Sequence, residues 1–470
     1  MVVIGGGISG LAAAAELSQM AGVRVTVLEA SDHLGGKLAQ TEVGGVRIDT
    51  GAESLLNTRP EAVALAREAG LADKIVHPAT AKAWLWSGGN MHPMPAGLVM
   101  GAPSDIASVV RGGVLSPLGT ARLLLGNVLH RRPLDSHANV SIGDYIASRV
   151  GRDVVDRLVD PLLAGVYAGD PYALDLRAVA PSLAKAAAQQ PTLVAAARAA
   201  RRTPTVPVFA GVDGGIGSLP IALARTLESR GVWIRRGTQA NALTRAGDGR
   251  WSVASIRTPD GAAEPPIECD AVVLAIPAFA SSSLLRPLAP EASRELDEIP
   301  YASVAVVSFA YPAAQKVHLP EGSGFLVPSV DRRFIKASTF SSIKWSWTGR
   351  DSRVDDADGL LVLRASVGRW KDTTSLQRTD AEIVAGAHAD LVAAIGLTST
   401  AIDTHVQRWN DSLPQYLVGH QERVVRVRAS TQAVPGLALC GAGLDGVGIA
   451  ACVASGRAAA HQALTSMRAL

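Results

Sequence analysis

The chain has 470 residues, enough for roughly two to four domains around a large buried core. Its formal net charge of +3 is small for that length and argues against a nucleic-acid partner or a polybasic membrane anchor. The three cysteines, Cys269, Cys440 and Cys452, form neither a C-x-x-C pair nor an even framework. Structural disulfides and a metal site are therefore not expected, and a reducing cytoplasm is the natural setting.

Val2-Val3-Ile4 reads as a short first strand, followed at once by Gly5-Gly6-Gly7-Ile8-Ser9-Gly10, a G-x-G-x-x-G pattern. The apolar run Leu11–Ala15 starts a helix, and a second strand, Val23–Leu28, ends at Glu29, with Ala30 beyond it. Each part has a use: Gly5 for the tight turn, Gly7 for close approach to a pyrophosphate, Gly10 for helix–strand packing, and Glu29 for a ribose diol. An acid at that strand end favours FAD or NAD over NADP. First strands of this kind usually run a few residues longer, so the native start is expected slightly upstream of Met1. A nucleotide fold opening at residue 2 leaves no room for a signal peptide.

Farther along, glycine pairs at Gly35-Gly36 and Gly44-Gly45 bracket Lys37–Gln40, and a helix is predicted over 58–75. Lys82–Trp86 and Met91–Pro95 suggest a hairpin, and residues 103–201 read as mostly helical. Strand character returns at Val206–Phe209, Val232–Ile234, Trp251–Ile256 and Asp270–Ile276, and strands dominate 301–368 before a helix over 379–395. No apolar stretch is long enough to span a bilayer. Nucleotide-type strands recurring near 206–276 and 435–440 predict a discontinuous cofactor domain. The expected division is 1–80, 205–285 and 420–470 for the cofactor, 81–102 and 286–419 for the substrate, and 103–204 for a helical domain. The fold class is α/β: a Rossmann-like FAD-binding domain with an inserted mixed-sheet substrate domain and a helical domain.

The Gly214-Gly215-Ile216-Gly217 turn lacks the spacing and the following acid of a second dinucleotide fold. One bound redox cofactor, fed directly by the substrate, is the simpler account. At the other end, Leu437–Gly441 is a strand ending in glycine, and Asp445–Ala450 is a glycine-rich turn before a helix. Such a turn can direct backbone N–H groups at the electron-rich edge of a reduced flavin, which points to FAD.

Several blocks carry a resemblance to the flavin-dependent porphyrinogen oxidases of haem synthesis, within the wider amine-oxidase-like FAD group. They are Asp49–Ser54, Met91–Gly97, Asp160–Pro171, Gly324–Pro328, Lys336–Ser342, Leu413–Tyr416 and the C-terminal turn. The run Gly165-Val166-Tyr167-Ala168-Gly169-Asp170-Pro171 is the most specific, and the chain looks most like the Gram-positive, actinobacterial coproporphyrinogen III oxidases. The eukaryotic protoporphyrinogen enzymes carry arginines where this chain has Glu53 and Val99, which puts their carboxylate clamp in doubt here.

The resemblance implies a six-electron oxidation of coproporphyrinogen III, with FAD as hydride acceptor and oxygen giving hydrogen peroxide. It places Gly5, Gly6, Gly7, Ile8, Ser9 and Gly10 on the pyrophosphate, Glu29 and Ala30 at the ribose, and Gly36, Lys37, Gly51, Ala52, Glu53 and Ser54 along the cofactor. Ala240 would meet the adenine through its backbone, Trp409 would pack near the isoalloxazine, and Gly441, Val447, Gly448 and Ile449 would border the flavin. Gly169 is the catalytic candidate, its carbonyl polarising a pyrrole N–H; the plain alternative is a glycine needed for its φ angle. Tyr167 and Leu326 would flank the macrocycle, and Lys336, Lys344 and Arg364 would meet propionates, unless they merely lie on a solvated face. Further partners implied are molecular oxygen, a transient contact with the iron-inserting chelatase and a peripheral membrane contact. The competing readings are protoporphyrinogen IX oxidase, another flavin amine oxidase or desaturase, and a non-catalytic FAD-binding protein.

Overall fold

Five three-residue strands build a parallel sheet in the order Trp233–Arg235, Thr26–Leu28, Val2–Ile4, Val272–Leu274, Leu437–Leu439. The computed structural model describes residues 1–129, 132–135, 138–313, 319–348, 359–372 and 374–468. Its central strands are covered on both faces, which is why they read as uninterrupted Val, Ile and Leu. Since all five run parallel, the loops that follow them emerge at one edge of the sheet. The sheet thus joins the first residues of the chain to residues 437–439 and sets the Gly5–Gly10 and Gly441–Ile449 turns side by side.

The helix Ile8–Leu17 packs on this sheet, flanked by the helices Ile449–Arg468 and Ser218–Ser229. That enclosure explains its four consecutive alanines, Ala12 to Ala15, all without exposed surface. Small residues let the elements close in: a side chain on Gly456 would land on the Ser9 carbonyl.

A seven-stranded mixed sheet forms the second layer, in the order Asp403–Pro414, Tyr301–Pro312, Leu360–Val367, Ile335–Phe340, Gly324–Leu326, Trp84–Ser87, Asn90–Pro93. The helix Asp380–Ile395 seals one face with Ile383, Ala387, Leu391 and Ile395 against Phe309, Phe325 and Leu363. The expected strands over 301–368 fall partly on 314–318 and 349–358, outside the described residues. Helices from Ile106–Gly112 to Leu193–Ala200 share another core built on Leu123, Ile146, Leu158 and Leu163. Within that predicted helical region, 130–131 and 136–137 also lie outside the description.

Two predicted strands move. Val23 closes a turn on Met20 (3.2 Å), so pairing to Val2–Ile4 begins only at Thr26. The strand expected at Val206–Phe209 runs instead over Phe209–Val212, antiparallel to Leu55–Leu56 and Ile75–Val76 and outside the parallel sheet. Pro207 has no N–H to give a ladder, which favours the shift past it. The predicted helix over 58–75 is shorter, Pro60–Glu68, and stops before Gly70 (φ +77°).

The Gly214–Gly217 turn has a structural task. Buried Asp49 accepts hydrogen bonds from the Ile216 and Gly217 amides, both at 2.9 Å, just before the helix Ser218–Ser229. Gly215 has φ +94°, and a Cβ there would lie 2.9 Å from Asp49 Oδ1. Burial raises the Asp49 carboxyl to about 6, against the opposing pull of those two amides. Asp49→Ala is expected to cost about 2–3 kcal/mol by leaving both amides buried without an acceptor. Denaturant unfolding checks this, and wild-type stability would mean that the turn supports itself.

Candidate flavin and substrate site

Each glycine of the N-terminal fingerprint meets a different environment. Gly5 has φ +109°, and a Cβ on it would lie 2.5 Å from the Ala275 carbonyl oxygen; one on Gly10 would land on the Gly5 carbonyl. Gly7 differs: a Cβ there would meet nothing within 4 Å. The helix that begins at Ile8 has no side-chain cap and no acid in its first turn. Its unpaired N–H groups and the open space at Gly7 form a cradle of the size and polarity a pyrophosphate needs.

Glu29 stands at the same sheet edge. Its Oε2 accepts from Gly6 N (2.7 Å), while Oε1 accepts from Ser31 N and Oγ, each at 2.8 Å. These bonds fix the carboxylate at the strand end and leave lone pairs for a diol. Ala30 is exposed beside it, and its carbonyl accepts from Thr258 Oγ1 (2.8 Å). Ala240 lies two residues past Thr238, whose amide bonds the Glu29 carbonyl (2.8 Å).

Gly36 and Lys37 retain solvent access, yet Lys37 is so hemmed in that desolvation lowers its pKa. Access and enclosure together describe a side chain lining a deep cleft. The Ala52 amide bonds the Lys37 carbonyl (3.1 Å), which ties the 51–54 loop to that wall, and Ser54 is half-buried at its end. Trp409 donates Nε1–H to the Thr50 carbonyl (3.0 Å) and lies over Gly51, where a Cβ would stand 3.2 Å from its ring.

At the C-terminal turn, Gly441 has φ +121° and its amide donates to Ser455 Oγ (2.9 Å). Asp445 accepts from Ser455 and from Arg428 (2.6 Å), which holds Val447, Gly448 and Ile449 at the start of the long helix. Gly448, like Gly7, faces open space. Two helix N-termini with an open glycine each thus border one edge of one sheet, and together they suit the phosphates and the electron-rich ring edge of FAD.

Tyr167, Leu326 and Val447 share one apolar cluster, so two of the expected macrocycle neighbours reach the expected flavin turn. Gly169 is buried and is absent from the residues with positive φ; the left-handed residue is its neighbour, Ala168, at +52°. The φ explanation for this glycine therefore fails. A Cβ on Gly169 would lie 2.6 Å from Gln415 Oε1 and 2.7 Å from Leu174 Cδ1, so space is what requires glycine there.

The three predicted propionate cations are already engaged. Lys344 and Arg364 both pair with Glu53 (2.5 Å for Arg364), and Arg364 also donates to the Gly51 carbonyl (2.7 Å). Burial alone would raise the Glu53 carboxyl, but the two cations outweigh it and hold the group at about 2. Lys336 is 3% exposed and donates to the Gly368 carbonyl (2.7 Å), and burial brings it down to about 7. None of the three stands on a solvated face. Glu53 thus serves as an ion-pair hub within the 51–54 loop.

Sequence reasoning missed Gln415 and Trp370. Gln415 sits in the Leu413–Tyr416 block and donates Nε2–H to the Tyr167 carbonyl (2.7 Å). Trp370 donates its backbone N–H to the Ala168 carbonyl (2.6 Å). The first had a motif signal but no assigned role; the second lies some 200 residues from its partner with no pattern to announce it.

A model of the flavin containing amine oxidoreductases matches residues 8–464, which is the class this sheet edge and its cradle define. The chain is 37% identical to the coproporphyrinogen III oxidase of Mycobacterium leprae over 470 residues, covering 97% of this chain and 96% of that one. It is 30% identical to the protoporphyrinogen oxidase of Macaca fascicularis, with 99% and 98% covered. A crystal structure from Exiguobacterium sp. 255-15, described as a protoporphyrinogen oxidase, superposes with a TM-score of 0.85 at 30% identity over 99% of this chain and 98% of that one. The chain belongs to the flavin containing amine oxidoreductases, in the branch of the coproporphyrinogen III oxidases, and is an FAD-dependent oxidoreductase.

Proposed function

We propose that this protein oxidises coproporphyrinogen III to coproporphyrin III in three two-electron steps. The observation that carries the reading lies in the Tyr167–Pro171 run. Among the described residues, Gln415 takes the Tyr167 carbonyl, Trp370 that of Ala168, Ala173 and Leu174 that of Asp170, and Gly143 that of Pro171. Gly169 alone has a carbonyl with no partner, and a buried carbonyl left unbonded is costly unless a ligand supplies the donor.

Bound FAD supplies the two-electron acceptor, which oxygen reoxidises with release of hydrogen peroxide. The protein's own contribution is position and polarity. Tyr167 and Leu326 offer apolar walls for the tetrapyrrole, and the Gly169 carbonyl accepts a pyrrole N–H as that nitrogen turns acidic on loss of a meso hydride. Three hydrides and three protons leave the substrate, and three oxygen molecules become three of peroxide.

Coproporphyrinogen III and protoporphyrinogen IX, offered separately under air with porphyrin fluorescence and peroxide followed, test this reading. Faster turnover of the tetracarboxylate is expected, and failure on both would end the assignment.

No helix among the described residues is long and apolar enough to cross a membrane. The helix Pro117–Leu129 nonetheless turns its apolar side outward. Leu118 (81% exposed), Leu125, Val128 and Leu129 face solvent, while Gly119, Leu123 and Gly126 pack inward. That inversion supports a peripheral contact of this helix with a membrane surface. Sedimentation with anionic liposomes checks it, and protein left wholly in the supernatant would exclude it.

A further inference from the structure

The free Gly169 carbonyl is the product of a specific arrangement around it. Gln415 is 1% exposed and starts just past the strand Asp403–Pro414, its own amide bonded to the Pro300 carbonyl (2.8 Å). Its Nε2 uses both hydrogens, one on the Tyr167 carbonyl (2.7 Å) and one on that of Leu413 (3.0 Å). Turning the amide over would set its oxygen against two carbonyl oxygens, so the orientation is determined. The same orientation directs Oε1 at the Cα of Gly169, where it has no hydrogen-bond partner at all.

A buried amide oxygen without a donor is expensive, and an apolar side chain of the same shape would avoid that cost. What the glutamine achieves is geometric. It removes the Tyr167 carbonyl from competition and packs its oxygen against Gly169, where no Cβ could fit. Trp370 removes the Ala168 carbonyl from the other side (2.6 Å). The strap bearing Trp370 is held in turn by Lys336 on the Gly368 carbonyl (2.7 Å) and by Arg369 on the Val327 carbonyl (2.7 Å).

We propose that Gln415 is a positioning residue: it sets the Gly169 peptide so that this carbonyl alone is presented to a substrate N–H donor. The inference rests on the coproporphyrinogen reading given above. Because the pyrrole N–H is more acidic in the transition state than in the ground state, mispositioning its acceptor should reduce kcat more than it raises KM.

The test uses the FAD-loaded full chain, with turnover expressed per bound FAD. Gln415→Met keeps the volume and removes both donors. Its kcat is expected to fall about 10- to 100-fold, the scale set by a misplacement near 1 Å, with KM changed less than about threefold. The Soret band of bound coproporphyrin III should shift from its wild-type position. In a cycle with Gly169→Ala, the double variant should be no slower than the slower single one, since both act on one carbonyl.

Wild-type turnover per FAD in Gln415→Met, or losses that multiply in the double variant, would overturn the proposal. Where Gln415→Met does not retain FAD, Gln415→Asn serves instead. It keeps an amide but withdraws it by one methylene, and wild-type turnover there would overturn the proposal equally. A wild-type enzyme inactive on both porphyrinogens would instead defeat the functional reading.

Discussion

Glu53→Gln is expected to destabilise the protein by about 3–5 kcal/mol, the penalty for removing one partner of a buried ion cluster. The variant keeps the volume but leaves the Lys344 ammonium and the Arg364 guanidinium without their shared carboxylate. The loss should depend on pH in a defined direction. Glu53 has an ordinary value of 4.5 and stands at about 2 when folded, so its contribution is complete above about 4.5 and fades as pH falls towards 2. The difference between wild type and variant in urea unfolding should therefore be constant from neutral pH to about 5, then shrink. A difference that grows on acidification would refute the hub.

Gly7→Ala and Gly10→Ala should fail in different ways. A Cβ at position 7 meets no protein atom within 4 Å, so the apoprotein should fold normally. If the open space at Gly7 is the pyrophosphate cradle, the methyl would fill it, and FAD affinity is expected to fall about 100-fold, equivalent to about 2.7 kcal/mol. A Cβ at position 10 would land on the Gly5 carbonyl, so that variant should lose stability with or without FAD. The visible flavin spectrum of purified protein, with apoprotein unfolding alongside, separates the two. A Gly7→Ala enzyme that retains yellow colour and wild-type affinity would show that the cradle is not the phosphate site.

The backbone geometry of the N-terminal glycine turn is legible in the sequence because it is local. A strand, a glycine turn, a helix start and an acid follow one another within Val2–Glu29, and each glycine meets the steric demand its position implies. Gly441–Ile449 was legible for the same reason. The substrate half was not. The sequence suggests Lys336, Lys344 and Arg364 as cations for propionates, but Glu53 and the Gly368 carbonyl engage them from far along the chain. Alternation along a strand shows which face a lysine takes, and says nothing of the carboxylate waiting there.

Gly169 shows where the division falls. Its residue type and its block point to the macrocycle, yet the reason for glycine, the limited room beside Gln415 and Leu174, arises only from tertiary packing. Local sequence encodes backbone conformation and periodicity, because these depend on neighbours a few residues away. Which carbonyl stays free depends on donors 202 and 248 residues distant, as the partners Trp370 and Gln415 show. Cofactor class and fold were thus decided by short-range patterns, while the one carbonyl left without a partner in the Tyr167–Pro171 run was decided by packing between distant segments.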